Sequence, residues 1–506
     1  MVLFKQKLIQ TGGYLKQFRG DITSFSAGVL FPFAFAPFEF RFLSWVSLMI
    51  LFGGWLQVTP GRAFIRGWLW GIGAFLTGVS WVFHSMHHYG GSSVPVAVVF
   101  TFLFAAYLAL YPALAGFFWS RFFSNNDGFV IKGLAAGLCW ASTEWLRSWV
   151  LTGFPWLMFG YSHMDTPLEG FLPFGGDLFV SALAASSLAL ILFSFKAGRA
   201  WICIMIVAAI AVTGFSLNQI DWQDTGPKKT IDITLIQGDI PQELKLKLEH
   251  LDKSLKTYYQ LSLPHFDSDL IIWPETAMPT YRYKIDSYLQ KVAADLDGRR
   301  ASILTGIFLQ TEAKNGYYNA LLEIGGDWQT YTKQHLVPFG EYMPVRWLME
   351  LFSFFIDIPK SDMSPAPLKQ KPLVIAGITA ASNICYEMAF PDVFRNQLKE
   401  SGLIINVSND SWFGDSFAAS QNLEIARVRA KEFARPVARV TNDGVTAFID
   451  KDGRLLKKAD RFKALALRHT LTVNNTITPF CRMGQFVTGG SLLCIFLFLT
   501  GLRKKH

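Results

Sequence analysis

Between Ser24 and Leu217 the chain reads as a succession of apolar stretches, each roughly 17 to 25 residues long. A helix of that length covers the hydrocarbon of a bilayer, and a spanning backbone there must satisfy its own hydrogen bonds. Such a series partitions the chain between lipid and water. Seven spans are expected, near 23–40, 43–58, 67–87, 94–119, 129–149, 172–195 and 199–216. One more apolar run, Phe486 to Leu502, precedes the closing Arg503-Lys504-Lys505. The expectation is a polytopic α-helical membrane domain of about eight spans plus one extracytoplasmic α/β domain. The boundaries follow the hydropathy: 1–217 with seven spans, 218–485 water-soluble, and 486–506 as the last span and a basic tail.

Basic residues orient the spans. Lys5, Lys7, Lys16 and Arg19 precede the first; Arg62 and Arg66 follow the second, Arg121 the fourth, Lys196 and Arg199 the sixth. With eight spans these groups and the C-terminal tail all fall on one side, which the positive-inside rule makes cytoplasmic. Both termini are then cytoplasmic, and the soluble domain of a bacterial inner-membrane protein would lie in the periplasm. These anchors account for part of the net charge of +9, and no basic-aromatic groove suggests nucleic acid. About twenty residues precede the first apolar run and no small-residue cleavage site follows it, so a cleaved signal peptide is not expected.

The stretch after Asn218 changes character. Short β-rich runs such as "IDITLIQG", "SDLIIWPE", "ASILTGIF", "YYNALLEIG", "PLVIAGITA" and "GLIINVSND" are bounded by turn-forming residues. Helical patterns lie between some of them: "SYLQKVAADLDG" before Gly298, and "FAASQNLEIARVRAKEFARP", stopped by Pro436. Asp443-Gly444 and Asp452-Gly453 supply the turns of two hairpins. Strands alternating with helices predict a layered α/β domain.

Three chemically useful side chains stand at expected strand ends: Glu275 after "LIIWP", Lys333 in "YTKQHLVPFGEY" and Cys385 in "SNICYEMAFPD". A carboxylate can take a thiol proton, a thiolate can attack a carbonyl carbon, and an ammonium can stabilise the oxyanion and favour the thiolate. Of the five cysteines, Cys139, Cys203 and Cys494 fall in expected spans. Cys481 is the partner that a disulfide to Cys385 would need in an oxidising compartment.

"WPETA", "KQHLVPFGEY" and "ICYEMAFPD" resemble, in order and spacing, the Glu, Lys and Cys motifs of the nitrilase superfamily. On this membrane plan they are similar to one branch of it, the apolipoprotein N-acyltransferases. "QGDIPQ", "NVSNDSWFG", "ARVRAKEFARPVARVTNDGVTAFID", "FAFAPF" and "GFPWLMFGYSH" extend the likeness over nearly the whole chain. The resemblance implies a nitrilase-like α-β-β-α sandwich and transfer of an acyl chain from a phospholipid to the amine of a lipoprotein's diacylglyceryl-cysteine. By position it implies Cys385 as nucleophile, Glu275 as general base and Lys333 as oxyanion partner, in a ping-pong cycle through a thioester. Glu341 would orient the site, and Tyr386 and Glu387 would flank the nucleophile. No cofactor is implied, and a monomer is the default. The sequence departs from the family pattern at Lys245-Leu246, where relatives tend to have a tryptophan after the lysine.

Other residues admit two readings each. Asn409, Asp410 and Trp412 suit capping a strand and packing a loop, or bordering the acyl pocket; Trp156 is a further candidate for substrate contact. Glu144 and Arg147, at i and i+3 near a span end, suit either a functional pair or snorkelling to the interface. His84, His87 and His88 have the spacing of a metal face but no acid or cysteine beside them, and no metal is expected. A membrane-tethered amidase with water as acceptor and a non-catalytic transporter or receptor are the rival functions. The transporter would be expected to show duplicated halves, which the spans lack.

Overall fold

The computed structural model describes residues 17–124, 128–196, 198–224, 226, 228–245, 247–312, 316–344, 346–349, 363–367 and 369–503; Leu246 lies outside them. The chain divides into two compact units. One comprises Met1–Phe83, Val94–Ile220 and Gln485–His506, the other His84–Ser93 and Asp221–Gly484.

The first unit is helical. Among the described residues, four helices are long and apolar enough to cross a membrane: Val94–Phe123, Pro167–Phe195, Ala200–Asn218 and Pro479–Gly501. The expectation of about eight spans is corrected accordingly, and the causes are local. The run expected at 23–40 is helical only to residue 30, then turns into the 3-10 segment Phe31–Ala34 with Pro32 in its first turn. Phe42–Gly54 is apolar but 13 residues long. Pro60–Gly78 carries Arg62 and Arg66 and five glycines, and Phe129–Arg147 carries Lys132, Glu144 and Arg147. Small residues let these helices approach closely: a Cβ on Gly71 would stand 2.6 Å from the Cα of Ala109.

Glu144 and Arg147 are buried in this unit and do not snorkel. Arg147 donates to the carbonyls of Phe154 (3.1 Å) and Trp156, and Glu144 accepts the Phe159 N–H at 2.8 Å. The pair thereby satisfies the irregular backbone of "GFPWLMFGYSH", which apolar surroundings would otherwise leave without partners.

The second unit is built on two sheets. The first has the strand order β13–β1–β2–β4–β5–β6 with β3 also paired to β4. These strands are β1 (Thr230–Gln237), β2 (Leu270–Ile272), β3 (Met278–Tyr281), β4 (Ser302–Gln310), β5 (Tyr317–Ile324), β6 (Thr330–Thr332) and β13 (Leu465–Thr472). The second has the order β12–β11–β10–β9–β8–β7. Its strands are β7 (Leu373–Ile375), β8 (Ile378–Ile384), β9 (Leu403–Ser408), β10 (Val437–Thr441), β11 (Ala447–Ile449) and β12 (Leu455–Lys458). Both hairpins expected after Pro436 form, β10 with β11 and β11 with β12, all antiparallel.

Period-two alternation decides what lies between the sheets. Ile233, Leu235, Leu270, Ile272, Leu304, Leu321 and Tyr331 of the first sheet pack with Ile375, Ile384, Ile405, Val407, Val440 and Phe448 of the second. The opposite face of the first sheet, with Ile271, Ile303 and Leu322, buries Leu255 and Tyr258 of helix Leu251–Ser262 and Leu289 and Val292 of helix Asp286–Leu296. Helices Pro391–Leu398 and Ala418–Phe433 accompany the second sheet, with the rings of Phe394 and Phe433 5.7 Å apart. The layering is α-β-β-α.

Candidate active site

Glu275, Lys333 and Cys385 each follow the last residues of a strand: β2, β6 and β8 respectively. A strand end fixes the backbone by ladder hydrogen bonds while freeing the side chain from the sheet. Glu275 is reached through a tight turn, whose approach to β4 is so close that a Cβ on Gly306 would lie 2.3 Å from the Thr276 nitrogen.

The Lys333 ammonium is almost wholly buried and lies between two carboxylates, 3.2 Å from Glu275 Oε1 and 2.7 Å from Glu341 Oε1. Burial disfavours its charge, but Glu275 and Glu341 outweigh that and hold its pKa well above the ordinary lysine value. Asn319, on β5, donates its Nδ2 to the same two oxygens, at 2.8 Å to Glu275 and 3.2 Å to Glu341. The second oxygens are also engaged: Glu275 Oε2 accepts the Asn409 N–H at 2.9 Å, and Glu341 Oε2 the Val337 N–H at 2.8 Å. Glu341 is thus turned inward against Lys333 and Asn319 rather than out to the surface. Asn319 had no place in the sequence reading.

Cys385 opens the 3-10 turn Cys385–Ala389 with φ at +54°, a left-handed conformation that costs a side chain of order 1–2 kcal/mol. Thr276 (φ +52°), next to Glu275, shares it, so strained backbone stands at the nucleophile and beside the carboxylate. Burial and the Glu275 carboxylate push the thiol up to about 12, against the opposing pull of Lys333. The resting sulfur is therefore a thiol that needs a base. All five cysteines are free, so Cys385 and Cys481 form no disulfide.

Glu387 is completely buried and accepts four hydrogen bonds: from the N–H groups of Gln334 (2.6 Å), His335 (3.0 Å) and Ile384 (2.7 Å), and from Tyr331 O–H (2.9 Å). It staples the segment after Lys333 to the residue before Cys385. Burial pushes its pKa up to about 7 against the pull of Lys333 and these donors. Tyr386 is half-buried, its ring 4.9 Å from Phe390 and 5.8 Å from His335.

The segment after β9 contributes in two ways. Asn409 holds Glu275 through its N–H and Gln242 through its side chain (2.8 Å), which gives it a structural role at the site. Asp410 is a buried partner of Arg439 at 2.9 Å. Trp412 is only partly buried; its carbonyl accepts Ser85 O–H at 2.7 Å and its ring stands edge-on to Tyr89. His84, His87 and His88 pack ring against ring on the turn that carries Tyr89. Among the described residues no group of three or more His, Cys, Asp or Glu is placed to hold a metal ion. Trp156 belongs to the other unit, 3% exposed against Trp81 and Phe154, which leaves little surface for a lipid.

Residues 27–190 match the family model described as the apolipoprotein N-acyltransferase N-terminal domain, and residues 233–474 match that of carbon-nitrogen hydrolase. A Coxiella burnetii protein named apolipoprotein N-acyltransferase is 37% identical over 485 residues, 95% of this chain and 100% of its own. A Methylococcus capsulatus protein of the same name is 38% identical over 471 residues, 92% of each chain. Among solved structures, Saccharomyces cerevisiae Nit3 of the nitrilase superfamily aligns with 50% of this chain and 92% of its own, at 15% identity and a TM-score of 0.37.

Proposed function

The chain belongs to the apolipoprotein N-acyltransferase family, and from that premise we propose how its site moves an acyl group. The donor is a phospholipid and the acceptor is the N-terminal amine of the diacylglyceryl-cysteine of an apolipoprotein. Glu275, Lys333 and Cys385 form the catalytic triad of a ping-pong cycle. The observation that carries this reading is the shared set of oxygens on Glu275 and Glu341, which holds Lys333 and Asn319, with the charges of Glu275 and Lys333 both acting on the Cys385 thiol.

In the first half-reaction Glu275 takes the Sγ proton as sulfur attacks the ester carbonyl, and Lys333 donates to the oxyanion. Collapse expels the lysophospholipid oxygen, which receives the proton from Glu275, and leaves a thioester on Cys385. In the second half-reaction the free α-amine attacks the thioester carbonyl and Glu275 accepts its proton. The Cys385 thiolate leaves and takes that proton back from Glu275.

The four apolar helices support an extracytoplasmic placement of the second unit. Lys196 and Arg199 stand between the apolar helices Pro167–Phe195 and Ala200–Asn218, and Arg503 follows Pro479–Gly501; crossing through Ala200–Asn218 and returning through Pro479–Gly501 puts these basic flanks on one side and residues 219–478 on the other. Basic residues that flank spans mark the cytoplasmic side by the positive-inside rule. Residues 219–478 then face the periplasm of an inner-membrane protein.

Incubation with phospholipid alone tests the cycle. Cys385 should gain one acyl chain in an intact-mass spectrum, labile to hydroxylamine and blocking maleimide. A diacylated lipopeptide should release it, and Cys385→Ala should abolish both steps while Cys481→Ala keeps them. Loss of the acyl chain to water as fast without lipopeptide as with it would identify an amidase-like hydrolase instead. Product formation with Cys385 fully open to maleimide would sink the thioester.

A further inference from the structure

Lys245 closes the short helix Gln242–Lys245 and is 1% exposed. Its ammonium donates to the carbonyl oxygen of Glu275 at 2.9 Å and makes no ion pair among the described residues. Burying a cation without a paired carboxylate is costly, and a lysine stem is easily turned outward, so its retention inside asks for a reason. The same helix reaches Glu275 a second way: Gln242 Oε1 accepts Asn409 Nδ2 at 2.8 Å, and the Asn409 N–H binds the Glu275 carboxylate at 2.9 Å. Backbone and side chain of one residue are therefore gripped from one element.

Charge supplies the rest. Lys333 is matched against both Glu275 and Glu341, so this buried group holds one cation and two carboxylates. Moving the Cys385 proton to Glu275 leaves the same excess negative charge, now on sulfur and Glu341. Asp410, which also acts on Cys385, is paired with Arg439. The further charge that faces Glu275, Asp443 and Cys385 is that of Lys245. With it the ledger of Glu275, Glu341, Lys333, Lys245 and Cys385 is neutral before and after the proton moves.

We propose that Lys245 is a positioning residue for acyl transfer: it fixes the Glu275 backbone and supplies the second cation against which the Cys385 thiolate forms. This rests on the acyl-transfer reading only for its use in turnover. Burial pulls the lysine down to about 8, while Glu275, Asp443 and Cys385 favour its charge, so the cation is present at neutral pH.

The test reads the thiol directly. Full-length protein in detergent is alkylated with iodoacetamide from pH 6 to 10, and Cys385 labelling is followed by peptide mass mapping. Lys245→Met should slow alkylation at pH 7 by ~10-fold or more, the equivalent of one pKa unit, and move the rate profile to higher pH. Lys245→Arg, which keeps the charge, should recover most of the rate. A merely structural lysine would lower the melting temperature and leave the profile in place; a Lys245→Met profile superimposed on that of the parent overturns the proposal. Should that variant not fold, Lys245→Gln keeps a donor for the Glu275 carbonyl without the charge and must show the same shift, or the proposal falls. Iodoacetamide needs neither phospholipid nor acceptor, so failure here is distinct from failure of the thioester.

Discussion

Asn319 offers the sharpest probe of the carboxylate cluster, because Asn319→Asp changes one donor into a charge without changing size. The introduced carboxylate would stand where Nδ2 now lies 2.8 Å from Glu275 and 3.2 Å from Glu341. At an effective dielectric of about 20, each contact costs about 5 to 6 kcal/mol. The Lys333 ammonium, shared by the same oxygens, offsets roughly half of the sum. The remaining penalty of about 5 to 6 kcal/mol equals about 4 pKa units, which moves the new group from about 4 to about 8. Below that pH it is a neutral acid that donates one hydrogen bond in place of two. Losing one charge-assisted hydrogen bond costs about 1.5–3 kcal/mol, or roughly 10- to 100-fold in turnover. The active form is the protonated one, so turnover should fall as pH rises through about 8 more steeply than in the parent protein. The assay is formation of triacylated lipopeptide from phospholipid and diacylated lipopeptide between pH 6 and 9, with melting temperature followed in parallel. Asn319→Leu, which lacks any ionisable group, should be slow at every pH without the added step. A pH profile for Asn319→Asp parallel to that of the parent would show that Asn319 does not contact the working carboxylates.

Two further outcomes are expected. Lys333→Arg keeps the charge but not a point donor between Glu275 and Glu341, so a folded variant should lose on the order of 10²–10³ in rate, and near-normal turnover would remove Lys333 from the mechanism. A reporter fused near Asp224 should behave as periplasmic and one after Lys505 as cytoplasmic; a cytoplasmic signal at Asp224 would overturn the proposed topology.

The places of Glu275, Lys333 and Cys385 were legible because "WPETA", "KQHLVPFGEY" and "ICYEMAFPD" resemble family motifs in order and spacing, where strand ends alone did not single them out. Their partners were less so. Asn319 shares the inward phase of Leu321 on β5, and a polar side chain in that phase must find partners between the sheets. That signal was present in "YYNALLEIG" and passed over. Glu387 was singled out as a neighbour of the nucleophile, but its four donors come from β6, from the segment after it and from β8, which only the fold brings together. Lys245 gave no signal, since nothing in a lysine's local pattern says that it is buried. The span count failed for a related reason. Apolar averages over Pro60–Gly78 and Phe129–Arg147 conceal charges, and in Arg147 and Glu144 those charges satisfy irregular backbone.

Burial at this site acts on the proposed reaction in two opposite directions. It opposes ionisation of Cys385, which is why a base, an oxyanion partner and, by our inference, a second cation are assembled around one sulfur. The same burial protects what that sulfur would carry. A thioester in water is lost to a nucleophile present at about 55 M unless the site excludes it, whereas an acyltransferase must hold the group until an amine arrives. Cys385 at 9% exposure, Glu275 at 5% and Lys333 at 1% leave few approaches for a water activated by Glu275. A high thiol pKa and a protected thioester are then two consequences of one dry site. The stapled Glu387 and the doubly gripped Glu275 would keep that site ordered through both proposed half-reactions. Loosening it by a cavity in the intersheet packing behind Cys385, such as Ile384→Ala, would lower the energetic cost of the thiolate and shorten the life of the thioester together.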